Sequence, residues 1–296
     1  MNYPTSTLYA SGCTYPLNAT LINDLRSSTF STVILWALHV DAVGNLYFND
    51  QRIVSGGQYV GLPMWPNQIA QLGYPLSGVE RVFFSVGGWG VGDFANIQAL
   101  IRSQGIGPAS SLYVNFQALK TAIPNLVGID LDDESLYDQT TTVEFSKLLA
   151  SLNYAVTYCP YDNMSFWTAC LKAANAAVPG CVSGFNLQCY AGGAGNDPAA
   201  WIAAVASAMG PSFPAAAFVT PGLWCRNGPG CASGNCPSDV QTRFRIWLPD
   251  GLQSGFIWLY DDILNCASSN VCSNGGGTAQ YSAAIVNGLG GNNPNG

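Results

Sequence analysis

Asp130, Asp132 and Glu134 occupy every second position of the string LVGIDLDDE, residues 126–134. The apolar residues threaded between them, Leu126, Val127, Ile129 and Leu131, make the segment a buried β-strand rather than a solvated acidic turn. Side chains at alternate strand positions share one face at a spacing of about 6–7 Å, so three carboxyl groups line one interior wall. Like charges held together away from water separate their pKa values, and one carboxyl stays protonated as a general acid. The chain contains only three glutamates, Glu80, Glu134 and Glu144, so the cluster does not follow from an acidic composition. Perturbed carboxyls of this kind gather at functional sites.

Apolar, β-rich runs recur along the chain and must place that wall: residues 7–12, 32–40, 81–88, 126–134, 153–160, 182–190, 216–223 and 254–262. Helical patterns lie between most of them, at 93–103, 110–123, 141–152, 165–177, 198–210 and 238–248, and a last one spans 281–289. Apolar strands alternating with helices predict a parallel sheet covered by helices, and eight units in 296 residues predict a single α/β domain, a closed (β/α)8 TIM barrel. A doubly wound open sheet is the other topology this alternation allows, but SVGGWGVG lacks the spacing and position of a dinucleotide fingerprint. Residues 46–61 read as a hairpin inserted after the second strand, and 225–239, with three cysteines, as a disulfide-stapled loop after the seventh. The barrel is expected to occupy 1–285, and the Gly/Asn-rich residues 286–296 to form a flexible tail or linker.

Composition narrows the ligands. Charged residues are 9% of the chain, against about 25% in an average soluble domain, while eight Trp and fourteen Tyr are present. Aromatic faces without counter-charge suit neutral, ring-shaped polar ligands. A net charge of −7 with scattered Lys and Arg excludes nucleic acid, and no apolar run reaches the length of a membrane span. The single histidine, His39, lies inside the strand TVILWALHV, which leaves neither a His-based zinc site nor a Ser-His-Asp hydrolase. No metal or cofactor is expected. Ten cysteines without CxxC pairs point to disulfides, and so to a secreted, extracellular protein. Cys181 and Cys189 would stand roughly 26 Å apart on one strand and cannot pair, whereas Cys266 and Cys272 are expected to form a local bridge.

Taken in order along the barrel, TLYASG, FFSVGGW, LVGIDLDDE, FNLQCY and SGFIWLYDD resemble the motifs of glycoside hydrolase family 18. The resemblance covers residues 7–262. Of the four acids in the family's fourth-strand pattern, the last three match Asp130, Asp132 and Glu134, and Val127 replaces the first; its odd offset from Glu134 is expected to turn it away from the catalytic side. Ala191 stands where Asn often follows the sixth-strand Gln-x-Tyr. Asp133 stands where many chitinases carry an aromatic residue, a variant similar to the endo-β-N-acetylglucosaminidases that cut the chitobiose core of N-glycans.

What this resemblance implies is substrate-assisted, retaining hydrolysis of a β-1,4 bond following an N-acetylglucosamine, an exception to the usual two-carboxylate scheme. Glu134 would be the general acid, and the acetamido carbonyl of the substrate would be the nucleophile. Asp132 would orient the acetamide, Asp130 would share a proton with Asp132, and Tyr190 would donate to the acetamide oxygen beside Gln188. Trp258, then Tyr260 at the same strand parity, would form a sugar-stacking floor. Tyr9 would sit at the barrel mouth, with Trp89 on the rim unless it only packs there. The expected partner is an N-acetylglucosamine oligomer, chitin or an N-glycan, bound by a monomer. Three activities stay open on these residues: an endochitinase, an endo-β-N-acetylglucosaminidase, and a catalytically silent lectin on the same barrel.

Overall fold

The computed structural model describes residues 4–273 and 275–291. Its strands in chain order are β1 (Thr5–Ala10), β2 (Thr32–Val40), β3 (Leu46–Phe48), β4 (Gln51–Ser55), β5 (Gln58–Tyr59), β6 (Arg81–Gly87), β7 (Leu126–Asp132), β8 (Ala155–Tyr158), β9 (Val182–Gln188), β10 (Val219–Trp224) and β11 (Ser254–Trp258). Its helices are α1 (Ala19–Ser27), α2 (Trp65–Leu72), α3 (Asp93–Gln104), α4 (Ser111–Ala122), α5 (Gln139–Ser151), α6 (Met164–Ala177), α7 (Pro198–Met209), α8 (Ala215–Phe218), α9 (Pro237–Trp247), α10 (Tyr260–Cys266) and α11 (Thr278–Gly288). Eight parallel strands run β1-β2-β6-β7-β8-β9-β10-β11, and β11 returns to pair with β1. This is the closed (β/α)8 barrel that the alternation predicted, and the antiparallel β3–β5 insertion hangs from the end of β2.

Strands with both faces covered read as continuous apolar runs. In β2, Val33 and Leu35 join the layer between barrel and helices, while Ile34 lies in a second cluster inside the barrel with Tyr9, Phe83, Cys159, Tyr190 and Phe256. The helices start where local chemistry caps them: the side chains of Asn18, Ser110, Asp138 and Asp197 each accept a backbone N–H in the first turn of α1, α4, α5 and α7. α1, α2 and α10 are the helices of at least seven residues absent from the sequence pattern.

Three local departures change the reading of the site. β7 carries one extra residue against β6, because Val82 pairs with Leu126 while Phe83 pairs with Gly128. A bulge of that kind breaks the alternation of faces, so Val127 packs against the interior cluster instead of facing away. Second, β11 ends at Trp258 and α10 begins at Tyr260, which removes the strand parity that linked these two residues. Third, the bridges are Cys231–Cys266 and Cys236–Cys272, not Cys266–Cys272; they tie the loop after β10 to the segment after β11. Cys181 and Cys189 are buried and unbridged. α11 runs to Gly288, past the expected start of the tail at 286, and residues 292–296 lie outside the described residues.

A cavity of about 410 Å³ opens at the barrel's N-terminal end, lined among others by Thr5, Thr7, Thr32, Arg81, Thr220 and Ser254. It lies at the strand starts, away from the mouth that carries the three carboxyls, although Thr157 and Asn186 reach it from above.

Candidate active site

The site lies where barrel sites are built, at the C-terminal ends of the strands. Asp130 is the deepest of the three carboxyls and is fully buried. Four neutral groups donate to it: Tyr9 Oη and Ser85 Oγ to Oδ2, both at 2.8 Å, and Thr157 Oγ1 at 2.6 Å and Asn186 Nδ2 at 2.9 Å to Oδ1. These donors come from β1, β6, β8 and β9, so the barrel wall converges on one carboxylate. Burial pushes the Asp130 pKa up, and the four hydrogen bonds pull against that shift.

Asp132 and Glu134 form the second assembly. Gln188 Nε2 donates to Asp132 Oδ1 at 3.1 Å and to Glu134 Oε1 at 2.9 Å. Burial, followed by the charge of Glu134, raises the Asp132 pKa well above the usual carboxylate range. Burial also raises that of half-buried Glu134, against which the hydrogen bonds from Gln188 and Asp132 work. Two carboxyls so placed titrate as a coupled pair. Asp130, expected to share a proton with Asp132, is held by hydroxyl and amide donors, and its charge is, after burial and Glu134, a further cause of the raised Asp132 pKa.

The SxGG string has a specific use here. Ser85 is one of the Asp130 donors, and Gly88 N–H donates to the Asp132 backbone oxygen at 2.8 Å. Gly87 has φ of +105°, and a Cβ on it would run into that same carbonyl oxygen. Only glycine lets β6 and β7 close up at this point. Asp133 turns the other way and is fully buried. It accepts the backbone N–H groups of Ser135, Leu136 and Tyr137 at 3.1, 2.9 and 2.9 Å, and thereby shapes the loop that presents Glu134.

Aromatic rings enclose the mouth above the carboxyls. Trp258 stacks on Tyr190 with centroids 6.1 Å apart and an interplanar angle of 21°, lies 5.4 Å from Tyr9, and meets Trp36 edge-on at 4.8 Å. Trp224 closes the far side against Tyr190 at 5.9 Å and donates its indole N–H to Asp262 at 2.8 Å. Thus the fold gathers Asp130, Asp132, Glu134, Tyr9, Gln188, Tyr190 and Trp258. Trp89 stands on the rim after Gly88, 83% exposed. Tyr260 does not join them: it is buried in the first turn of α10 and its hydroxyl donates to Asp24 at 2.9 Å.

Sequence reasoning missed Thr157, Asn186, Cys159 and Trp36. The inward parity of β2, β8 and β9 is the signal that could have found the first, second and fourth. The Trp36 indole nitrogen is buried and meets no acceptor among the described residues, which leaves a donor free at the mouth.

The sequence matches no family model and no curated protein. Its fold is shared with solved glycoside hydrolases. Active domain 2 of the thermostable chitinase of Pyrococcus furiosus, solved with chito-oligosaccharides, superposes with a TM-score of 0.65 at 10% identity over 98% of this chain and 97% of that one. The Group IV chitinase of Ostrinia furnacalis gives 0.60 at 10% identity, over 97% of this chain and all of that one. A glycoside hydrolase family 18 N-acetylglucosaminidase of Paenibacillus barengoltzii gives 0.57 at 13% identity, again over 97% of this chain and 100% of that one. At these identities the likeness is one of fold.

Proposed function

We propose that this protein is an exported glycoside hydrolase that cleaves β-1,4 bonds of N-acetylglucosamine polymers, chitin above all, with retention of configuration. The observation that carries the reading is the shared grip of Gln188 on Asp132 and Glu134. Two carboxyls held on one nitrogen stand closer than the about 6.5–9.5 Å that an inverting pair needs to fit a water between them. Glu134, the more exposed of the two, faces the mouth and serves as the acid that protonates the leaving oxygen.

Asp132 is buried and coupled to that acid, so it is poorly placed to attack carbon. It is well placed to orient a neutral group that becomes positive. The acetamide of the substrate fits this part: its carbonyl oxygen attacks the anomeric carbon, the leaving oxygen takes the Glu134 proton, and Asp132 faces the cationic ring that forms. Such stabilisation is strongest in a site from which water is excluded. Tyr190 would donate to the acetamide oxygen, and Trp258 would carry the apolar face of the sugar. The solved relative complexed with chito-oligosaccharides shares this barrel, which supports the choice of ligand class. The two disulfides suit an oxidising compartment and support export.

Asp133 spends its carboxylate on three backbone N–H groups. It therefore supplies no substrate contact that would favour N-glycans over chitin. Incubation with colloidal chitin and with a high-mannose glycoprotein tests the choice: release of soluble oligomers from chitin is expected, and cleavage of the glycoprotein alone would overturn it. Glu134→Gln should keep the fold and lower turnover by about 10²–10⁴-fold; unchanged turnover would remove Glu134 from the acid's role. Chitin binding without release of sugar from either substrate would make the protein a lectin.

A further inference from the structure

The cavity at the N-terminal end of the barrel has a polar lining for which the reaction above has no use. Its volume of about 410 Å³ lies within the roughly 300–1,000 Å³ of small-molecule sites. Two side chains of its wall are more than nine-tenths buried and carry a polar atom without a partner among the described residues. Thr7, 6% exposed, has an unpaired hydroxyl. Asn186, also 6% exposed, spends Nδ2 on Asp130 Oδ1 at 2.9 Å and on Thr157 Oγ1 at 3.4 Å, which leaves Oδ1 an acceptor with no donor. A buried acceptor left unmatched is costly, and the open space beside Asn186 has room for the missing donor.

The rest of the wall sets the chemistry of that donor. Thr220 Oγ1 and Ser254 Oγ lie 2.6 Å apart; one hydroxyl hydrogen serves the contact and the other is free. Ser183 donates to the Val156 oxygen at 3.0 Å and keeps its lone pairs. Phe83 and Phe218 add apolar surface, and no carboxylate lines the space. At the entrance, exposed Arg81 donates Nε to Thr32 Oγ1 at 3.1 Å and pairs with no carboxylate among the described residues. Donors and acceptors set beside aromatic surface complement a monosaccharide, whose hydroxyls each give and take a hydrogen bond and whose C–H face is apolar. A small anion fits less well, because at the closed end it would meet an acceptor, Asn186 Oδ1, with the Asp130 carboxylate behind it.

We propose that this cavity is a second binding site, for a neutral monosaccharide, closed at its inner end by Thr7 and Asn186 and entered past Arg81 and Gln253. A sugar hydroxyl that donates to Asn186 Oδ1 polarises the amide, and the same amide donates to Asp130 from its other end. Occupancy of the barrel floor thus reaches the deepest carboxyl of the mouth through one side chain. Binding in the floor does not depend on the glycosidase reading, so a protein that releases no sugar from chitin would still hold the monosaccharide here.

Titration of the full chain with D-glucose tests this, followed by calorimetry and by the carbon-13 signal of the Asp130 carboxyl, assigned through Asp130→Asn. One saturable site with a dissociation constant on the order of 1 mM is expected, and the Asp130 signal should move along the same curve. Thr7→Val keeps the shape of the side chain, removes its hydroxyl, and should weaken binding about three- to tenfold. Gly184 lines the cavity two residues before Asn186, and a Cβ there would meet nothing closer than 3.6 Å. Gly184→Val therefore fills the space and should abolish binding; should that variant not fold, Thr7→Val still decides. Absence of saturable binding, binding unchanged in the two variants, or binding with an unmoved Asp130 signal would each overturn the proposal. Saturation by D-glucuronate and not by D-glucose would overturn the ligand class in favour of an anion held at Arg81.

Discussion

Tyr9 donates its hydroxyl to Asp130 at 2.8 Å, joining the first barrel strand to the fourth through the interior. Residues 121 positions apart in sequence thus complete one hydrogen-bonded carboxylate. The bond lies beneath the aromatic mouth of the barrel, so its effect on the proposed reaction passes through the position and charge of Asp130.

Tyr9→Phe keeps the ring against Phe256 and Trp258 but leaves the buried carboxylate one donor short. Removing a partner from a buried charged group costs about 1–3 kcal/mol, which in a domain of this size is a fall in Tm of roughly 2–12 °C. Turnover should fall with it by roughly tenfold, as Asp130 is driven toward its neutral form. Thermal unfolding and kcat on a soluble oligomer check both; wild-type values for both would show that Asp130 does not depend on Tyr9.

The Asp132–Glu134 pair sets a pH dependence of stability whose sign follows from the direction of the shifts. Both carboxyls bind protons more tightly in the folded protein than in the unfolded chain. From the ordinary carboxylate value near pH 4 up to the raised folded values, the folded state holds more protons, so stability falls as pH rises through that window. Asp132→Asn removes the larger share of this effect. Its melting temperature should decline less than the wild type's between pH 4 and pH 8 and exceed it at the upper end, while its turnover is lost. Parallel Tm curves for the two proteins would contradict this assignment.

Trp258 and Trp89 should separate by what their loss does. Trp258 stacks on Tyr190 and touches Tyr9 and Trp36, so Trp258→Ala should lower kcat/KM by a hundredfold or more, even on a short oligomer, and cost about 3–5 kcal/mol of stability. Trp89 is 83% exposed, and Trp89→Ala should leave Tm and short-oligomer kinetics within about twofold while weakening binding to insoluble chitin, as loss of an exposed contact does. Equal effects of the two variants on a short oligomer would place Trp89 inside the site rather than on its rim.

Alternation along β7 was enough to place Asp130 and Asp132 on one interior wall, and the recurrence of apolar runs was enough to predict the barrel. Both signals are local and periodic. Val127 and Tyr260 show where periodicity stops: a one-residue bulge turned Val127 inward, and a helix starting at Tyr260 carried that ring to Asp24. Neither event leaves a mark in the spacing of apolar residues. The bridges Cys231–Cys266 and Cys236–Cys272 join partners 35 and 36 positions apart, a proximity created by the side-by-side pairing of β10 and β11 and invisible to a search for near neighbours. Thr157 and Asn186 are ordinary strand residues by type, and only the convergence of four strands on Asp130 gives them a role.

The two crossing disulfides have a consequence for proteolysis. The chain from Cys236 to Cys266 is spanned by both bridges, so a single cut anywhere in that stretch, which includes α9 and β11, releases no fragment. The nicked protein would gain the mass of one water, keep Trp258 fastened to the rest of the barrel, and come apart into two chains only under reduction.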